Sequence, residues 1–95
     1  MQTKIIFSRK AKERLFTIAS HIKNKSKSNE ITLRYINKIK NKIDILKFYP
    51  HSGREALEFG EKTRKLVVLE YSILYEINEA LGQIEILNIF KENLP

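Results

Sequence analysis

Arg54, Arg64, Lys65 and Lys91 are the cations in the second half of the chain that could meet a phosphate or a carboxylate, with Lys62 in the loop before Arg64. Metal-independent RNA cleavage would ask three things of such a site. One group activates the 2′-hydroxyl, another protonates the leaving oxygen, and cations stabilise the charged phosphorane. The competing reading is structural: Arg54 and Arg64 lie close in sequence to Glu55, Glu58 and Glu61, which are ready ion-pair partners. Tyr71 and Tyr75 share one face of a strand, because side chains alternate with a period of two. Tyr75 is expected in the core and Tyr71 at its margin, where it could join a surface for a target or partner protein. Histidine is the side chain most suited to proton transfer near neutral pH, and the chain has two, His21 and His51. His21 falls off a helix's apolar stripe and His51 falls in a turn, so both are expected in solvent. With no acid at ligand spacing they form no metal motif, and neither metal nor cofactor is expected.

The elements that must position these groups fit a single small domain. The 95 residues are 42% hydrophobic and 31% charged, enough for one core and not for two. There is no cysteine, which excludes disulfides, thiol nucleophiles and thiolate metal sites and fits a reducing compartment. The opening "MQTKIIFSRK" lacks the apolar run of a signal peptide, and no stretch is long enough to span a bilayer. These features point to a cytoplasmic protein without a membrane partner. The net charge of +7 is unevenly spread. Residues 1–49 hold 13 Lys/Arg against 3 acids (+10), and residues 50–95 hold 5 against 8 (−3). A basic half of this kind attracts acidic proteins or nucleic acid, or simply forms a lysine-rich helix surface.

Local patterns set the order of elements. "KIIF" is a short strand. Ser8 can cap a helix that carries Ala11, Leu15, Ile18, Ala19 and Ile22 at helical spacing. The polar run "KNKSKSNE" interrupts that stripe, and Ser28 can cap a second helix with Glu30 in its first turn. That helix carries Tyr35, Ile36, Ile39, Ile43 and Leu46, and should stop at Tyr49 because Pro50 follows. "PHSG" is turn chemistry. "TRKLVVLEYSILYEI" reads as strand, tight reversal, strand. "NEALGQ" makes the next turn, with Gly82 available for a positive φ. A last strand alternates Ile84, Ile86, Asn88 and Phe90 against Glu85, Leu87 and Ile89. "KENLP" ends the chain as a polar tail. The economical arrangement is α+β: an N-terminal strand, an antiparallel helix hairpin, then a three-stranded antiparallel meander, with both helices on one face of the sheet.

This order of elements, with particular residues in it, resembles the RelE/ParE superfamily of toxins from type II toxin–antitoxin modules. The matching residues are "FSRKAKERL" entering the first helix and "I..L..YP..GRE" (Ile43, Leu46, Tyr49, Pro50, Gly53, Arg54 and Glu55). "TRKLVV", "EYSILYEI" and "IEILNIF" complete the set, which spans nearly the whole chain. The resemblance implies a toxin neutralised by a cognate antitoxin. RelE-like members cut mRNA on the ribosome, whereas ParE-like members inhibit DNA gyrase without being known as nucleases.

Two departures favour the ParE-like, plasmid-stabilisation branch. RelE-like members commonly have Tyr-Arg where this chain has Tyr71-Ser72, and they often end the last strand with a His or Tyr that "NIFKENLP" lacks. The ending "NIFKENLP" is similar to the "IF…NP" endings of ParE-like members. Eight acids in the second half would also repel an RNA backbone. The expected function is therefore gyrase inhibition by binding, with Arg54, Arg64, Lys65, Tyr71 and Lys91 as candidate contacts to target or antitoxin. The alternatives are a ribosome-dependent mRNA endonuclease using Arg54, Arg64, Lys65 and Lys91, and an inactive relative that only binds antitoxin. Expected partners are the antitoxin and either gyrase or the ribosome with its mRNA. A homodimer or a toxin–antitoxin hetero-oligomer is also expected, since so short a chain is marginal alone.

Overall fold

A computed structural model describes residues 3–91. Of the polar ending expected from Lys91 onward, Lys91 instead closes the last strand and the rest lies outside the described residues. Strand β1 (Lys4–Phe7) leads into helix α1 (Arg9–Ser26) and helix α2 (Asn29–Asp44), followed by strands β2 (Arg54–Glu55), β3 (Thr63–Val68), β4 (Tyr71–Asn78) and β5 (Gln83–Lys91).

Both serine caps form where local chemistry asks for them. The Ser8 Oγ accepts from the Ala11 N–H at 3.0 Å, and the Ser28 Oγ accepts from the Ile31 N–H at 3.1 Å. Between them Lys27 closes α1 in the left-handed region (φ 60°), so its N–H returns to the Lys23 carbonyl and the chain can reverse. The second helix stops earlier than Pro50 alone would dictate. It tightens at Ile45–Lys47 into a 3-10 turn, which turns Leu46 into the core.

The sheet has the order β1-β5-β4-β3-β2. The expected meander β3-β4-β5 is antiparallel, while β1 joins β5 in parallel, with Ile5 beside Ile84 and Phe7 beside Ile86. The turn-and-loop reading of residues 50–62 missed β2, two residues that pair Arg54 with Lys65 and Glu55 with Arg64. Two residues carry too little periodicity to announce a strand.

Strict alternation in the last strand is also corrected. Tyr75 pairs with Ile86 and Leu74 with Asn88, so β5 carries a bulge at Leu87. The extra residue shifts the phase, and Ile84, Ile86 and Ile89 all reach the helix-covered face, each 0% exposed. Ser8 anchors the irregularity: its hydroxyl donates to the Leu87 carbonyl at 2.9 Å while capping α1.

Both helices cover one face, α1 chiefly over β5 and α2 toward β3. The core joins Ala11, Ile18 and Ile22 of α1 and Ile39 and Ile43 of α2 to Leu66, Tyr71, Ile73, Tyr75 and the three isoleucines of β5. Burying these side chains is the main stabilising term, at about 1.5–3 kcal/mol for each large apolar group.

Candidate functional site

The residues singled out for chemistry divide between the two ends of β4. At one end the sheet grips the turn that follows the helices. Tyr75 is fully buried, and its hydroxyl donates to the Pro50 carbonyl at 2.7 Å and accepts from the Gly53 N–H at 2.9 Å. Arg64 is Tyr75's cross-strand partner. Its Nε donates to the Gly53 carbonyl at 2.8 Å and its Nη2 to the His51 carbonyl at 3.3 Å, while Glu55 stands 3.9 Å from Nη1. The side chain is only 19% exposed. Gly53 is required by space: a Cβ there would stand 2.7 Å from the Tyr75 ring and 2.8 Å from the Lys65 carbonyl.

Arg54 and Lys65 are partners across β2 and β3 on the helix-free face. Arg54 forks onto Glu58, at 2.7 Å and 3.3 Å, and also donates to the Glu55 carbonyl. That fork, followed by the residue's own backbone N–H, holds the Glu58 carboxyl down at a pKa of about 2. Lys62 is exposed in the loop. The adjoining cleft, about 620 Å3, is lined by Glu55, Glu61, Glu76, Glu79 and Glu85 against Lys62 and Arg64. Glu76 and Glu85 stand directly opposite one another in the ladder, and the Thr63 hydroxyl donates to Glu76 at 3.3 Å. Such a cleft repels a phosphate backbone.

At the other end Tyr71 pairs with Lys91, four residues and about 13 Å along β4 from Tyr75. Lys91 lies 3.5 Å from Glu70. A smaller cleft of about 270 Å3 brings His21 and Tyr35 to the same pair. Burial, then the Glu70 charge, then Tyr35 push the Tyr71 phenol above its ordinary value. Tyr71 is 4% exposed, so it belongs to the core together with Tyr75. His21 and His51 are both exposed. Among the described residues, no group of three His, Cys, Asp or Glu stands ready to hold a metal ion.

The helix-free face is not an open groove at its middle. Ser72, the residue after Tyr71, is 0% exposed, and its hydroxyl has no partner among the described residues. Its neighbour in the ladder, Phe90, meets Phe59 at a ring-centroid distance of 5.7 Å, so the β2–β3 loop lies over this part of the sheet. No functional role was expected of Phe48, or of Tyr49 beyond marking the helix end and the resemblance, yet they are 77% and 67% exposed. A signal was present: the apolar stripe of the second helix ends at Leu46, leaving two aromatics before Pro50 without a place in the core pattern.

Comparison with known proteins agrees with this architecture. The family model for the ParE toxin of the type II toxin–antitoxin system parDE matches residues 5–93. Among solved structures, a chain of the chromosomal ParDE toxin–antitoxin system from P. aeruginosa is 20% identical, with a TM-score of 0.81 over 97% of this chain and 98% of that one. A chain of the RelBE2 toxin–antitoxin complex from Mycobacterium tuberculosis is 15% identical, with a TM-score of 0.68 over 97% of this chain and 100% of that one. No curated protein gives a significant sequence match. At these identities the solved structures speak for the fold.

Proposed function

The chain belongs to the ParE toxin family of type II toxin–antitoxin systems, and from that premise we propose that it arrests growth by binding DNA gyrase and is neutralised by a cognate antitoxin. The observation that carries binding over RNA cleavage is the division of the candidate cations. Arg54 is engaged by Glu58, Arg64 by two backbone carbonyls, and Lys91 by Glu70 at the far end of the sheet. Stabilising a phosphorane needs cations converging on one point in a site free of repelling charge. Here only Arg54 and Lys65 are neighbours, across β2 and β3; Arg64 alternates to the opposite face, Lys91 lies at the other end of β4, and the nearest large cleft is lined by glutamates. The position where nuclease relatives commonly carry arginine holds a buried serine.

Of the five candidate residues, three remain proposed contacts and two act beneath them. Arg54, Lys65 and Lys91 offer charge to a target or antitoxin, Arg64 shapes the turn beside them, and Tyr71 stiffens the sheet end that presents Lys91. An antitoxin partner is supported by the neighbouring folds, which come from toxin–antitoxin systems.

The test is purified, antitoxin-free protein in a gyrase supercoiling assay, run beside a translation extract. Inhibited supercoiling with intact transcripts is the expected result. No inhibition at high excess would remove gyrase as the target, and codon-positioned cuts would assign the endonuclease activity instead. Induced expression without any growth defect would leave only the antitoxin-binding role.

A further inference from the structure

Resting on the reading of the chain as a toxin that acts by binding, we propose that the turn at residues 48–51 is its target-contact surface. Phe48 and Tyr49 enter an apolar recess on a folded target protein, bordered by acidic groups on the side that meets Lys4 and Lys47. Both side chains are mostly in solvent, 77% and 67% exposed, so core burial does not explain the presence of two adjacent aromatics.

The backbone beneath them is nonetheless held at four carbonyls. Tyr49 accepts from the Ser52 hydroxyl at 2.6 Å, Pro50 from the Tyr75 hydroxyl at 2.7 Å, and His51 and Gly53 from Arg64 at 3.3 Å and 2.8 Å. Three of these bonds come from the buried or nearly buried side chains of Tyr75 and Arg64, which reach from the sheet to do so. A rigid turn that displays two aromatic rings is preorganised: its ordering cost is already met on folding, the usual property of an interface hot spot.

Charge and shape narrow the partner. Beside Phe48 a cleft of about 830 Å3 carries Lys4 and Lys47 with Asp44 as its acid, and Asp44 is itself 3.9 Å from Lys47. The rim is thus net cationic and suits acidic surroundings on the partner. On the other side of the turn, His51 adjoins the glutamate-lined cleft, which disfavours nucleic acid. A disordered segment that folds on binding gains most from an extended groove, whereas two fixed aromatic tips match a pocket on an already folded protein.

The experiment compares the full chain with the double variant Phe48→Ser/Tyr49→Ser and with Lys47→Glu. Growth arrest on induction is the primary readout. Inhibition of gyrase supercoiling and affinity for the protein encoded beside the toxin are measured in parallel. Because all three positions are exposed, the variants are expected to melt within a few degrees of the parent. The double variant is expected to lose growth arrest and at least 10-fold of its inhibitory potency, with antitoxin affinity within about twofold of the parent. Lys47→Glu is expected to weaken inhibition most at low salt. A double variant that still arrests growth like the parent overturns the proposal, and so does one that loses growth arrest only together with its antitoxin affinity. If the parent arrests growth without touching gyrase, the gyrase reading fails while the turn is still judged on growth arrest. A parent that arrests no growth overturns both.

Discussion

Arg64 and Tyr75 face one another across β3 and β4, and both reach past the sheet to the same turn. Between them they satisfy the Pro50, His51 and Gly53 carbonyls and the Gly53 N–H. The turn that follows the helices is therefore tied to the sheet by polar contacts at this end.

Tyr75→Phe keeps the ring and removes the hydroxyl, leaving the Gly53 N–H and the Pro50 carbonyl without their partner. Loss of a buried hydrogen bond with groups left unsatisfied costs about 1–3 kcal/mol. Urea unfolding should show a lower midpoint at an unchanged slope. An unchanged midpoint would mean that water replaces the hydroxyl without loss.

Gly53→Ala should destabilise for a steric reason. The added methyl meets the Tyr75 ring and the Lys65 backbone carbonyl below 3.0 Å, and backbone cannot swing aside. Overpacking of this kind costs about 1–3 kcal/mol. Thermal melting of the single variant and of Gly53→Ala/Tyr75→Ala would separate the two contacts: truncating the ring should recover part of the glycine effect, as expected of directly coupled neighbours.

Leu69 turns the β3–β4 hairpin with φ at 56°, a conformation that a leucine side chain disfavours. It is 43% exposed, so little burial is at stake. Leu69→Asn should raise stability by about 0.5–1 kcal/mol, since Asn tolerates the left-handed region at lower cost. A decrease in the denaturant midpoint would show that the leucine's remaining contacts outweigh the strain.

The Arg54–Glu58 fork predicts a titration. The folded carboxyl has its pKa at about 2 against an ordinary 4.5, chiefly through the arginine's hydrogen bonds. A depressed folded pKa means that the pair's contribution is present above pH 4.5 and fades as pH falls toward 2. Both side chains of the pair are more than half exposed, so the energy is small and screened by salt. Carboxyl carbon shifts should show Glu58 titrating well below the ordinary carboxylate range, and Arg54→Ala should return it to that range. A normal Glu58 titration in the parent would mean that the fork does not persist in solution.

Much of the architecture was legible because it follows from local physics. Ser8 and Ser28 cap the helices, the 3.6-residue stripes choose the faces they bury, and Gly82 turns the last hairpin at φ 62°. These features depend on residues within a few positions of one another. The resemblance to the toxin superfamily was carried by the same ordered elements, and the family match now spans residues 5–93.

What the chain's sequence determined by itself was the order of its main elements, their caps and the apolar stripes that form the core. It offered nearby glutamates as partners for the arginines, which holds for Arg54 with Glu58, whereas Arg64 turns mainly to backbone carbonyls. Only the tertiary structure decided that β1 lies parallel to β5, that β2 exists, and that a bulge at Leu87 turns Ile89 inward. It alone set Arg64 and Tyr75 on one turn and put Lys91 at the opposite end of the sheet. Strand order and register arise from contacts between residues far apart in sequence. A single-residue slip moves a side chain to the other face, and no local pattern in β5 records whether that slip occurs.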